Sequence, residues 1–330
     1  MGAKVLKFLS IILFVVIFVF LCGLCEVLLT HGYDYVSPGE EGATIDMQST
    51  SQIGGYVGGV VGTLLSFVSI ILLLATLLDQ QKSNKIQSFE AILNSMISRY
   101  MSIVEGTSYE GKTAKEALSL LLDHYEMIYD RTENCFKEYQ SSLGNNDKIK
   151  ELILHHPKVV HELAFGYLMY GYDNFYFSIK RGSILNEISL KIHTLLQKEV
   201  PHDELRLFKM DRNNILGHYF RCLFSIVKYI SSQKILNEKE KYQYVKQLRS
   251  LLSDKEQILL YYDSLSDWGI PWLEGLGAFK FSKMCYMARF RMIKNIPYYY
   301  EYKGIIPTTF FKNEIKAFNK KKIKFFEFNL

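Results

Sequence analysis

Several features are scarce or missing in this chain of 330 residues. Its five cysteines form no framework: Cys22 and Cys25 lie inside an apolar run, while Cys135, Cys222 and Cys285 stand far apart in helix-like surroundings. That pattern excludes a disulfide scaffold, implies a reducing compartment for the part that meets water, and leaves no structural zinc knuckle. Phosphate-cradling nucleotide hydrolysis is not expected, and no Ser or Cys stands in a nucleophile context. Alternation of β-branched residues is nearly absent, which argues against sheets and for an all-α chain.

Charge is missing from two whole stretches. Ile53 to Leu78 contains no Asp, Glu, Lys or Arg, and Val5 to Leu29 is interrupted only by Lys7 and Glu26. Apolar runs of this length match the hydrocarbon thickness of a bilayer, so both read as transmembrane helices. The first is longer than the core of a secretory signal, and no small-x-small cleavage site follows it. Between them, Thr30 to Gln52 carries Asp34, Glu40, Glu41 and Asp46 but no Lys or Arg, whereas Lys4 and Lys7 precede the first span and Lys82 and Lys85 follow the second. By the positive-inside rule the acidic loop is external and both termini are cytoplasmic, at a bacterial inner membrane. In the second span Gly54, Gly58 and Gly62 recur at steps of four, as do Gly55 and Gly59, giving one face without side chains onto which another helix can pack.

What remains is ordinary globular material. Charged residues make up 22% of the chain and the net charge is +5, with Lys312, Lys316, Lys320, Lys321, Lys322 and Lys324 crowded into one tail. That tail suits an anionic surface, lipid or RNA, or is simply a solvated basic end. The expected organisation is a membrane hairpin over 1–80, a helical cytoplasmic domain over 81–300 and an aromatic, lysine-rich tail over 301–330.

Within the domain the second span continues into a membrane-proximal helix with Ile86, Phe89, Ile92, Leu93, Met96 and Ile97 at helical spacing. Gly106 and Gly111 mark a break, followed by helices over Ala114–Tyr139, Lys148–His155, Pro157–Tyr172 and Asn174–Lys198, closed by Pro201. The central helix is expected over Arg212–Ile230, apolar around most of its circumference with one polar stripe of Asn214, His218, Arg221, Ser225 and Lys228. That stripe reads either as a solvent window or as the lining of a site. Ser253 to Glu256 forms a capping box opening a further helix, and the stretch from Tyr298 to Asn313 reads as irregular or weakly extended. Trp268 and Trp272, beside Gly269 and Pro271, read as packing or membrane-interface residues rather than as a ligand cage.

The hairpin with GGYVGGVVGTLLSF, Thr76, Gln80, Phe89-Glu90, the LGHYFRCLFSIVKYI helix and YVKQLRSLLSDKEQILLYYDSLS together resemble the phage abortive infection family of the AbiC type, from the second span to about Leu276. The GHYFR and QLRSLLSDKE blocks are the most specific parts. The resemblance implies a membrane-anchored bacterial defence protein that halts the host on infection, and it supplies no established catalytic site.

Arg212 and His218, with Asn213 after the arginine, also fit the arginine, polar residue, histidine pattern of HEPN ribonucleases. A histidine can move the proton of a ribose 2′-hydroxyl while an arginine holds the phosphate, with no metal or cofactor. The candidate catalytic pair is therefore Arg212 and His218, supported by Asn213, Asn214 and Arg221, with RNA as the substrate that reading implies. Six residues of helix separate two side chains by about 9 Å of rise and roughly 120° of azimuth, so a homodimer or higher oligomer would have to assemble the site. The competing reading makes Arg212 a surface residue at the helix start and gives His218 and Arg221 buried or interfacial hydrogen bonds. His155, His156, His161 and Glu162 lack the paired helical spacing of a metalloprotease zinc site. Two mechanisms follow: a HEPN-like ribonuclease, or a sensor domain whose glycine-faced hairpin perturbs the membrane when protomers cluster. The lipid bilayer and an unidentified phage trigger are partners in both.

Overall fold

The computed structural model describes residues 2–30, 47–142, 155–178, 184–278 and 283–327. The expected acidic loop, most of the expected Lys148–His155 helix and the residues between Ser178 and Ile184 lie outside them. The described chain is almost entirely helical and divides into two compact units, Met1–Ala91 and Ile92–Leu330.

The first unit is built from α1 (Ala3–Thr30) and the first part of α2 (Met47–Gly106). Ile17 of α1 packs on Val61 and Val68 of α2, with Leu13, Leu21 and Val57 around them, and Lys7 pairs with Asp79 at 2.6 Å. Low numbers on α1 thus meet high numbers on α2, which makes the pair antiparallel. Both helices are long and apolar enough to cross a membrane, and only 11% and 22% of their most apolar windows are buried within the chain. A core helix of a water-soluble domain would bury its apolar surface; here Phe8, Phe14, Phe18, Phe67, Ile70 and Leu73 face outward. The hydroxyls of Ser66, Ser69 and Thr76 donate to carbonyls four residues back, so these polar groups are satisfied inside the helix.

The packing inside this hairpin uses valines rather than glycines. A Cβ placed on Gly54, Gly55, Gly58, Gly59 or Gly62 would meet no atom within 4 Å, so the glycine face is open among the described residues.

The second unit begins with the end of α2. A tight two-stranded hairpin follows, β1 (Ser108–Tyr109) with β2 (Lys112–Thr113), turning through Glu110 and Gly111, both at positive φ. Around it pack α3 (Ala114–Ser142), α4 (His156–Ser178), α5 (Ile184–Glu199), α6 (His202–Lys209), α7 (Asn213–Ser232), α8 (Glu238–Arg249) and α9 (Asp254–Leu265). The break expected after Tyr172 falls at Gly171, whose φ of 68° kinks α4; an added Cβ there would lie 2.7 Å from the Lys209 carbonyl oxygen. The expected capping box is present, with Ser253 accepting from the Glu256 amide and Glu256 accepting from the Ser253 amide, and Asn237 with Glu240 forms a second one at the start of α8.

α7 keeps the buried apolar faces and the polar stripe expected of it, while the depth of α9 and the form of the stretch after Tyr298 differ from the sequence pattern. The helix buried on every side is α9, in which each residue from Glu256 to Leu265 is buried; α7 buries Leu216, Tyr219, Phe220, Leu223, Ile226, Val227 and Ile230 but exposes its polar stripe. The polar members of α9 hide it from an apolar count: Gln257, Asp263, Ser264 and two tyrosines all find hydrogen-bonding partners inside. The stretch after Tyr298 is partly helical. Following the short helices α10 (Ile270–Leu273) and α11 (Tyr286–Arg289) come α12 (Pro307–Phe310) and α13 (Lys312–Asn319). Phe311, Phe318, Phe325 and Phe326 bury against this unit, and buried Glu314 accepts a hydrogen bond from the Gly277 amide at 2.6 Å.

Candidate functional site

The candidate residues sit at the start and on the outer face of α7, where the chain arrives from α6 through Met210 and Asp211. Asp211 accepts the Asn213 amide at 2.9 Å and so caps one orphan donor of the new helix.

Arg212 does not point at the polar stripe. Its side chain is almost fully buried, and the guanidinium donates to Tyr109 Oη at 2.8 Å, Leu168 O at 3.1 Å, Met210 O at 3.0 Å and Leu207 O at 2.9 Å. Its amide donates to Met169 O at 2.8 Å, and its guanidinium carbon lies 5.3 Å from the centroid of the Tyr109 ring. Leu207 and Met210 are carbonyls at the C-terminal end of α6, which a helix cannot satisfy by itself and where positive charge is favourable. Arg212 thus ties together α4, α6, α7 and β1. Behind it Tyr109 Oη meets His124 Nδ1 at 2.9 Å; burial pushes the tyrosine up in pKa, against the pull of Arg212, and pushes His124 down.

His218 stands on the solvent side of α7, as do Asn214, Arg221, Ser225 and Lys228. The structure therefore does not bring Arg212 and His218 together within one chain. It brings His218 and Arg221 together with Arg99 of α2, which line one groove of about 230 Å³ with Cys222 on its wall. Arg99 carried no mark in the sequence that would have joined it to α7, since it reads as one more charge on an amphipathic helix.

On the other side of Arg221 lies a second cleft of about 260 Å³. Asn213 and Arg221 contribute from α7, Tyr170 from α4, Asp263 from the end of α9, and Trp268 and Trp272 from the turn beyond it. Gly217 makes this arrangement feasible: a Cβ there would fall 2.5 Å from Asn213 Oδ1 and 3.2 Å from Arg221 Nη1, so the two polar groups lie over bare backbone. Asp263 is buried and desolvation lifts its carboxyl to about 8, opposed by the hydrogen bond from Trp272. Tyr170 and Trp268 have ring centroids 5.1 Å apart, and Trp272 meets Phe224 edge-on at 5.1 Å. The pairing of both tryptophans with a buried carboxyl was not legible beforehand, although the two positions were noted for their Gly and Pro neighbours.

The inner face of α7 is held by a separate polar knot. Tyr219 Oη donates to Glu256 Oε1 at 3.2 Å and Tyr100 Oη donates to Tyr219 Oη at 3.3 Å, so the end of α2 and the start of α9 grip α7 from behind. Burial raises both tyrosines in pKa. Both hydroxyls stay protonated and act as fixed donors.

Residues 211–299 match the model of a family described as "Putative phage abortive infection protein". The matched segment runs from the residue before Arg212 to Tyr299, and so contains α7, α9, both tryptophans and every α7 residue of the two grooves. It supports the AbiC-type resemblance and places its extent further along the chain than the hairpin-to-Leu276 span expected from the motifs. No curated protein and no solved structure matches the chain.

Proposed function

We propose, from the match of residues 211–299 to an abortive infection family model, that the helical unit is the receptor of a membrane-anchored antiphage protein and that the glycine-faced hairpin is its effector. In this reading the hairpin crosses the inner membrane with both ends in the cytoplasm, and clustering of protomers through the open face of Gly54, Gly58 and Gly62 perturbs the bilayer. The observation that carries it is the engagement of Arg212: a guanidinium spent on three carbonyls and a tyrosine has little left with which to hold a scissile phosphate. The open glycine face adds to this, since small-residue faces in membrane helices serve close helix approach and this one has no described neighbour.

A second reading keeps ribonuclease chemistry but moves it. His218 with Arg221 and Arg99 lines a solvent-accessible groove that contains a proton carrier and two phosphate-binding cations. There His218 would accept the 2′-hydroxyl proton as that oxygen attacks phosphorus, the arginines would hold the phosphate oxygens, and a second histidine from a partner protomer would protonate the departing 5′-oxygen. The products would be a 2′,3′-cyclic phosphate and a free 5′-hydroxyl.

Paired substitutions separate the two. The receptor reading expects Gly58→Leu or Gly62→Leu to abolish phage protection and membrane depolarisation in infected cells, with His218→Ala retaining both. Loss of protection and of RNA cleavage in His218→Ala, with the glycine variants unaffected, would overturn it.

A further inference from the structure

The cleft between α7 and the Trp268–Trp272 turn contains groups that the receptor and nuclease readings leave unused. Both tryptophans of the chain line it, although they are only two in 330 residues, and Tyr170 stands beside them. Flat aromatic faces at a cleft wall are stacking surfaces for planar heterocycles. The polar groups are equally specific. Asn213 Oδ1 is buried with no hydrogen-bond partner among the described residues. A buried acceptor without a partner is costly, and a donor brought by a ligand would satisfy it. Asp263, buried in the wall and hydrogen-bonded by Trp272, keeps its proton at neutral pH because desolvation holds it near 8. It can therefore donate and accept side by side. Arg221, exposed over Gly217, forms no ion pair with any described carboxylate and presents a planar fork to the same space.

We propose that this cleft binds a mononucleotide, with the base stacked against Tyr170 and Trp268 over the buried Trp272, the base edge read by Asp263 and Asn213, and the phosphate held by the Arg221 guanidinium. The elements select among ligand classes. A bare phosphate would make no use of three aromatic walls, and an apolar ligand would leave Asn213 and Asp263 unmatched. The volume, about 260 Å³, lies just below the range of about 300–1,000 Å³ usual for ligand sites and suits one small molecule rather than a length of peptide. Binding without hydrolysis is the expected mode: residues 106–113, GTSYEGKT, have the spacing of a phosphate loop, but they follow a helix and fold as the β1–β2 hairpin instead of a strand-to-helix phosphate cradle. The inference names a ligand class for the receptor and rests on that reading for its meaning in defence; the binding itself is measured separately.

Because the only two tryptophans line the cleft, intrinsic fluorescence reports on it without a label. The full chain in detergent is titrated with AMP, GMP, CMP and UMP, with the matching nucleosides, with ribose 5-phosphate and with a short oligoribonucleotide. Saturable quenching by at least one mononucleotide is expected, with its nucleoside weaker by about ten-fold or more, the loss of one charge-assisted phosphate contact. Arg221→Gln should bring the nucleotide down to the nucleoside's affinity, and Asp263→Asn, which keeps the shape but cannot offer a hydroxyl proton, should change which base binds best. The inference is overturned if no mononucleotide quenches up to millimolar concentration while circular dichroism stays helical, if ribose 5-phosphate binds as well as the nucleotide, if only the oligonucleotide binds, or if Arg221→Gln retains full affinity. None of these outcomes touches the membrane-potential experiment, so the receptor reading stands or falls on its own.

Discussion

Replacing Arg212 distinguishes a structural arginine from a catalytic one. Four guanidinium bonds, to Tyr109 Oη and to the carbonyls of Leu168, Leu207 and Met210, disappear in Arg212→Ala. At roughly 1 kcal/mol net for each, the loss is about 4 kcal/mol, within the range of about 3–5 kcal/mol found when one side of a buried charged network is removed. Domains are stable by only about 5–15 kcal/mol, so this is a large share. For a unit of this size about 2–4 °C of melting temperature accompanies each kcal/mol, which makes the expected drop roughly 8–16 °C. Arg212→Lys should recover little of it, because an ammonium on a thin stem cannot reach acceptors on α4, α6 and β1 at once. His218→Ala, at an exposed position, should stay within about 0.5 kcal/mol of the parent. Thermal unfolding followed by tryptophan fluorescence reads the helical unit alone, since Trp268 and Trp272 both lie in it. An Arg212→Lys chain that melts like the parent yet loses phage protection would refute the structural assignment and return Arg212 to the reaction.

The other predictions concern backbone, charge and membrane. Gly171→Ala and Gly269→Ala should each cost about 2–4 kcal/mol by urea titration, the first because of its positive φ and the nearby Lys209 carbonyl, the second because an added Cβ would sit 1.9 Å from the Asp263 carbonyl oxygen. Asp263 has a folded-state pKa near 8, above its unfolded value, so the folded chain keeps a proton that the unfolded chain sheds. Its stability contribution is therefore full at acid pH and lost as pH rises through the carboxylate range to 8; Asp263→Asn should flatten that decline between about pH 5 and pH 8 in urea midpoints. His161 runs the opposite way: burial holds it down to about 3, so stability associated with it is present above the ordinary histidine range and lost as pH falls, and His161→Phe should weaken the acid sensitivity of unfolding. Gly58→Leu should leave the protomer folded, because the added side chain meets nothing in its own chain, while reducing cross-linked oligomers in membranes.

Much of the architecture could be read along the chain because the signals are local. Charge-free runs predict the two apolar helices, Gly106 and Gly111 predict the break after α2, and Ser253 with Glu256 predicts a helix start that the structure contains. Less could be read where burial is achieved by polar side chains. The deepest helix, α9, presents Gln257, Tyr261, Tyr262 and Asp263 to the core, and only their partners elsewhere make that burial affordable. The helices after Tyr298 escape a reading of the sequence for a related reason: the lysines there face water, as a solvated basic end would, while phenylalanines spaced among them anchor the segment.

For the candidate site the division is sharper. From the sequence alone came the α7 helix, its polar stripe of Asn214, His218 and Arg221, the family resemblance of the segment around it and the glycine face of the second apolar helix, all of which depend on residue type and spacing along the chain. Tertiary structure decided that Arg212 turns inward to carbonyls of α4 and α6, that Arg99 joins His218 and Arg221, and that Asp263, Trp268 and Trp272 meet Asn213 across a cleft. Periodicity specifies which face of a helix a residue occupies. What stands opposite that face depends on residues dozens to more than a hundred positions away, brought there by packing of the whole unit.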